Sequence, residues 1–128
     1  MFKRLAKHLS TGQQGERIAA RHMQRMGLEI LHKNFTIHKV GEIDIIARDG
    51  TCLVFIEVKT RSTKGISRAG EAVDREKRRK IWHTAKFYFK KIENDKLRYR
   101  FDVVEVYLKG RWRSEVRYLP NAYDLGSV

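Results

Sequence analysis

Residues 41–61 read Gly-Glu-Ile-Asp-Ile-Ile-Ala-Arg-Asp-Gly-Thr-Cys-Leu-Val-Phe-Ile-Glu-Val-Lys-Thr-Arg. Two apolar runs flank an Asp-Gly pair, the pattern of a β-hairpin. Asp44, Glu57 and Lys59 lie inside those runs. Charges in a buried hairpin are costly unless they are paired, bound to a metal, or used in chemistry. Taking Asp49-Gly50 as a two-residue loop sets Arg48 against Thr51, Ile46 against Leu53 and Asp44 against Phe55. Opposed residues share a face and side chains alternate along a strand. Phe55, Glu57 and Lys59 then share the face of Asp44, with Asp44 diagonal to Glu57. A three-residue loop would break this parity.

The chain has 128 residues, enough for one domain with a real core. The reading is a basic arm or short helix over residues 1–11 and a single domain over 12–128. The formal net charge is +13, which points to a polyanionic partner, most simply nucleic acid. An anionic membrane surface and a merely basic protein are the alternatives. No apolar run approaches the roughly 18 residues of a membrane span, and the N-terminus has no apolar signal segment. A cytoplasmic location without a membrane partner is expected. Cys52 is the only cysteine, so an internal disulfide and a cysteine zinc site are excluded. It reads as a small core residue.

A helix is expected from Thr11 or Gly12 to about Met26, stopped by Gly27. Glu16 shares the stripe of Ala19, Ala20 and Met23, so it points to whatever the helix packs on; a carboxylate favoured by the helix dipole is the alternative. Leu28 to Val40 reads as a strand and its loop, with Leu28, Ile30, Phe35 and Ile37 inward. His32 and His38 lack metal spacing and read as surface residues. Thr60 to Gly70 reads as a basic loop able to touch a ligand. A second helix is expected over about Ala72 to Ile92, with Ile81, Ala85, Tyr88 or Phe89, and Ile92 inward. Its basic run is either a solvated surface or a phosphate grip. Tyr99 to Leu108 reads as a strand carrying Asp102, which either pairs with a neighbouring base or has a role of its own. Arg111 to Leu119 is its expected antiparallel partner, ended by Pro120, with a final turn at Asn121 to Asp124. Trp112 and Tyr118 would cover the sheet or serve a dimer interface.

Asp44 and Glu57 offer hard oxygens. With a backbone carbonyl such as that of Val58 and several waters, they suit Mg²⁺. Such an ion polarises a phosphoryl oxygen and acidifies water. Lys59 would stabilise charge in the transition state, and Glu16 would add a ligand or hold a water. A buried salt bridge that fixes the hairpin is the alternative.

Asp44 followed by Glu57-Val58-Lys59 resembles the PD-(D/E)XK nuclease motif, with Ile43 where the motif name has proline. The match is closer to the YraN-like family of uncharacterised bacterial proteins, through Gly15-Glu16, Gly41 to Asp44, Phe55 to Arg61, Lys77 with Ala85 and Tyr88, and Arg100 to Val104. The resemblance spans about Gly12 to Tyr123. It implies an α/β, restriction endonuclease-like three-layer fold, a central mixed β-sheet flanked by helices, similar to Holliday junction resolvases. It implies Asp44 and Glu57 as ligands of Mg²⁺ or Mn²⁺, Lys59 as catalytic lysine and Glu16 as the helical acid. The function expected is a metal-dependent endonuclease on structured or branched DNA. The alternative is a non-catalytic nucleic-acid-binding module with a nuclease fold. Lys77, Arg61, Lys64, Arg68, Arg75 and Arg78 are the expected nucleic-acid contacts. A homodimer would suit symmetric cutting of two strands.

Overall fold

The computed structural model of the chain describes residues 9–62, 75–94 and 96–123. Most of the basic arm, Lys64 and Arg68 of the expected loop, the start of the second helix at Ala72, and Asp124 lie outside the described residues.

Helix α1 spans Thr11–Arg25. Ser10 caps it: its hydroxyl accepts from the Gln13 amide, and the Gln13 side chain accepts from the Ser10 amide. At the other end Gly27 takes φ 94°, and the Leu28 and Gly27 amides close on the carbonyls of Met23 and Gln24. This left-handed closure is one a glycine makes without strain.

Five strands follow: β1 (Glu29–Ile37), β2 (Gly41–Asp49), β3 (Cys52–Ser62), β4 (Arg98–Leu108) and β5 (Ser114–Tyr123). They form one mixed sheet in the order β1-β2-β3-β4-β5. Only β3 and β4 are parallel, and helix α2 (Arg75–Ile92) falls between them in the chain, as a parallel pair requires a long crossover. The fold is the restriction endonuclease-like α/β architecture expected from the sequence.

Each helix covers one face. Ala19, Ala20 and Met23 of α1 pack on Ile45, Val54, Ile56, Val104 and Val106. Ile81, Ala85 and Tyr88 of α2 pack on Ile46, Phe55, Phe101 and Val103. Because β3 and β4 are buried on both faces, their cores read as continuous apolar runs. The α2 stripe includes Thr84, which is buried because its hydroxyl donates to the Lys80 carbonyl at 2.7 Å.

Three expectations are corrected. The hairpin loop is Gly50-Thr51, since Asp49 pairs with Cys52. Gly50 carries φ 61° and Thr51 has no positive φ, the pattern of a turn that needs glycine at its first central position. The register therefore moves by two residues, and an even shift by itself keeps the parity of the hairpin. Pro120 does not end β5, which runs to Tyr123. β5 is an edge strand with a register irregularity there, where a proline is tolerated. Trp112 does not cover the sheet: it is 88% exposed on the loop before β5.

Asp102 explains how the chain passes Pro120. Its side chain is wholly buried and takes the Asn121 amide at 2.8 Å, the Arg100 Nε at 3.1 and 3.2 Å, and the Tyr118 hydroxyl. Arg100 also donates to Asp49 at 3.1 Å, tying β4 to the hairpin end. Asp102 is thus a structural acid that pairs with a neighbouring base.

Candidate active site

The site begins where the sheet divides. β2 and β3 pair only from Asp49 and Cys52 to Ile45 and Ile56. Beyond that, residues from Ile43 to Gly41 remain paired with β1, while Glu57 to Ser62 remain paired with β4. One more step of the register would set Asp44 against Glu57, so the fork opens between these two acids. A fork leaves backbone groups without their ladder partners, and Asp44 takes one: the Val58 amide donates to its Oδ2 at 2.8 Å. Val58 thus meets Asp44 through its amide.

β2 also changes face here. Ile45 packs on the α1 side, whereas Ile46 and Ile43 both pack on the α2 side. The break falls at Asp44 and, across the β1 ladder, at Asn34, which takes φ 53°.

Two glycines press the helices against the fork. A Cβ on Gly15 would lie 1.8 Å from Thr60 Oγ1, so α1 rests directly on β3 beside the site. A Cβ on Gly41 would lie 2.8 Å from Thr84 Oγ1 and 3.3 Å from the Lys80 carbonyl, so α2 rests as closely on β2. The first contact carries Glu16 to the fork. Its first-turn alternative falls away, because no acid occupies the first turn of α1. With its amide turned to satisfy both neighbours, Asn34 donates to Glu16 at 2.8 Å and to Glu42 at 3.1 Å. The second contact carries Lys77, which forms an ion pair with the 7% exposed Glu57. A hollow of about 370 Å³ lies in front of the acids, walled by Gly41 and Glu42 on one side and by Glu76, Lys77, Lys80 and Ile81 of α2 on the other.

Four acids thus act on one another at the fork: Glu16, Glu42, Asp44 and Glu57. Burial pushes the Asp44 carboxyl up, and the neighbouring Glu57 pushes it further, to about 7; the Val58 amide opposes this. Burial and Glu42 raise Glu16 as well, against the Asn34 hydrogen bond. Burial lowers the Lys59 ammonium, with Arg61 and Lys77 adding to the effect and Glu57 and Glu105 opposing it. The structure therefore brings Asp44, Glu57 and Lys59 together at the fork, with Glu16 reaching it from the α1 side and Lys77 from the α2 side, not from one shared face as expected.

Glu105 was missed. It is fully buried, and the parallel ladder sets it beside Lys59 on the same face. Arg117 on β5 approaches it at 3.7 Å. The signal was present, since Glu105 is a charge inside an apolar strand, as Asp44 is. Glu42 and Asn34 were also missed. Only the three-dimensional path of β1 links them to Glu16.

The expected nucleic-acid contacts separate. Arg61 is half-buried close enough to act on the Lys59 charge. Arg75 is exposed at the start of α2. Arg78 packs its guanidinium over the Tyr123 ring at 5.1 Å, a stacking contact within the fold.

Asp44 and Glu57 suit a hard divalent cation. Their oxygens converge in a desolvated fork, and their mutual repulsion is what a cation between them would relieve. Among the described residues no group of three or more acidic, histidine or cysteine side chains is placed to hold a metal ion, so the candidate rests on this pair.

Residues 15–106 match the model of uncharacterised protein family UPF0102. The protein belongs to that family. A UPF0102 protein of Syntrophotalea carbinolica is 42% identical over 121 residues, covering 93% of this chain and 95% of the relative. One of Caldicellulosiruptor saccharolyticus is 42% identical over 97 residues, covering 76% and 81%. One of Vibrio campbellii is 38% identical over 117 residues, covering 90% and 93%. The matched span takes in both clamp glycines, the fork acids, Lys59, Lys77 and Glu105. No helix of the described residues is long and apolar enough to cross a membrane.

Proposed function

We propose that this UPF0102 protein is a Mg²⁺- or Mn²⁺-dependent endonuclease that hydrolyses phosphodiester bonds in structured or branched DNA. The observation that carries the reading is the fork itself. Asp44, fixed by the Val58 amide, and buried Glu57 converge where the sheet opens, with Lys59 beyond Glu57 on the same face. A fold gains nothing from two desolvated carboxylates set together, so their use lies in binding or chemistry. The net charge of +13 supplies the grip on a polyanion.

Asp44 and Glu57 would hold the ion, which when bound polarises a phosphoryl oxygen and acidifies a water. The Val58 amide keeps the Asp44 carboxylate oriented. Lys59 donates to the phosphoryl oxygen that gains charge in the transition state. Asn34 holds Glu16 at the edge of the fork, where it can orient a water. Lys77, paired with Glu57 on the wall of the hollow, lies where a phosphate would enter.

The test is incubation with labelled four-way junctions, flapped duplexes and plain duplexes in Mg²⁺ or Mn²⁺, with Asp44→Ala and Lys59→Ala as controls. Metal-dependent cleavage lost in both variants supports the reading. Binding of these substrates without cleavage of any of them overturns it. In that case the protein is a nucleic-acid-binding module on a nuclease fold, a second reading favoured by the Lys77–Glu57 ion pair, which already balances one acid. That reading expects binding that falls steeply with salt and is indifferent to Asp44→Ala.

A further inference from the structure

The loop joining β4 to β5 has a property the fork does not explain. The Lys109 amide donates to the Arg113 carbonyl at 2.8 Å, which closes a short loop with Gly110 at φ 110°. Trp112 sits on this loop and is 88% exposed, far more than any other large apolar residue described. A tryptophan so exposed adds little to folding, because the hydrophobic effect acts only on surface removed from water. Its companions are cationic. The Arg111 guanidinium lies 5.7 Å from the indole centroid. Arg111 and Arg113, with Arg21 of α1, line a hollow of about 340 Å³ beside the ring, and among the described residues no acid lines it. The nearby Glu115 is held by Lys109 at 2.7 Å.

The loop also has a defined position relative to the fork. The parallel ladder pairs Lys59 with Glu105 and Ser62 with Leu108. The loop therefore leaves the sheet at the C-terminal end of β3, beyond Lys59 by roughly 10 Å of strand at about 3.3 Å per residue. An exposed aromatic among arginines, with the nearby Glu115 paired to Lys109, matches the chemistry of single-stranded nucleic acid: a π-face for a base and cations for its phosphates.

We propose that the β4–β5 loop is a contact for single-stranded nucleic acid, with Trp112 stacking on an unpaired base and Arg21, Arg111 and Arg113 holding the flanking phosphates. It deepens the proposed function by naming the part of a branched substrate that is recognised, and it rests on the nucleic-acid half of that reading, not on cleavage. A duplex offers stacked bases that Trp112 cannot enter without cost. A flap or junction offers open ones.

The experiment measures affinity for a labelled single-stranded oligonucleotide, a plain duplex and a flapped duplex, in EDTA, for the wild-type chain, Trp112→Ala and Trp112→Phe. Trp112→Ala is expected to bind the single strand and the flap about 5- to 150-fold more weakly, the equivalent of ~1–3 kcal/mol for one aromatic–base stack. Its duplex affinity should stay within about twofold, and Trp112→Phe should retain most of the single-strand affinity. Single-strand binding should quench the wild-type tryptophan emission, and the quench should vanish in Trp112→Phe. Equal weakening on single strand and duplex overturns the stacking contact, as does no weakening at all. So does a wild-type chain that binds no nucleic acid but needs Trp112 to self-associate or to partition onto anionic vesicles. The two proposals fail separately. Absent cleavage with this preference intact sinks only the nuclease. Metal-dependent cleavage with an unaffected Trp112→Ala sinks only the loop contact.

Discussion

Asp44→Asn should make the metal-free protein more stable, not less. In the fold, burial and then Glu57 raise the Asp44 carboxyl from an ordinary 3.8 to about 7. A carboxyl raised in the folded state is neutral in both states at low pH. As pH rises past about 4 the unfolded chain ionises first, so the unfolded state is favoured progressively until pH passes the folded value near 7. Between those limits the shift of roughly three units, at 1.36 kcal/mol per unit, sets a ceiling of about 4 kcal/mol on the destabilisation at pH 8. Asparagine keeps an oxygen to accept the Val58 amide and never ionises, so it escapes this cost. Urea unfolding in EDTA from pH 4.5 to 8.5 reads the effect through the midpoint, with the slope checked for constancy. The wild-type chain should lose stability relative to Asp44→Asn across that range, and the gap should level off above about pH 7. A pH-independent gap, or a variant less stable than wild type at pH 8, would refute the claim that Asp44 is a strained acid.

Other outcomes follow from particular contacts. Gly15→Ala should destabilise by roughly 1–2 kcal/mol, because overpacking against Thr60 outweighs the helix propensity gained; Gly15→Ala with Thr60→Gly should recover the loss in the same urea assay. Asp102→Ala should lower stability by about 3–5 kcal/mol, since it strands the buried side of Arg100 and the Asn121 amide, and thermal unfolding would register it. Lys59→Ala should reduce cleavage on the order of 10²–10³-fold while substrate affinity in EDTA changes little. Glu105→Gln should shift the pH profile of cleavage, because it removes one of the charges that keep Lys59 protonated, whereas a purely structural Glu105 would leave the profile in place.

The sequence made the faces legible better than the partners. Period-two alternation assigned Asp44, Glu57 and Lys59 to one face; the two-residue error in the loop did not disturb Glu57 and Lys59, because parity survives an even shift, but the change of face at Asp44 was beyond its reach. The same alternation could not reveal the fork, since that depends on where β2 stops pairing with β3 while it stays paired with β1. Gly15 and Gly41 are silent in any periodicity, yet they set how closely the two helices approach the acids. Pro120 was read by its local rule as a strand end. The rule yielded to Asp102, nearly twenty residues earlier in the chain, which takes the Asn121 amide at 2.8 Å. Glu105 escaped although Asp102 of the same strand was singled out, because only the parallel pairing of β3 with β4 sets it beside Lys59.

The most direct measurement is a crystal soaked in Mn²⁺ and recorded for anomalous scattering. The account predicts an anomalous peak bonded to both Asp44 and Glu57, with the Lys77 ammonium displaced from Glu57. An absent peak at saturating Mn²⁺, with Lys77 still paired to Glu57, would contradict it and leave the fork as a structural salt bridge.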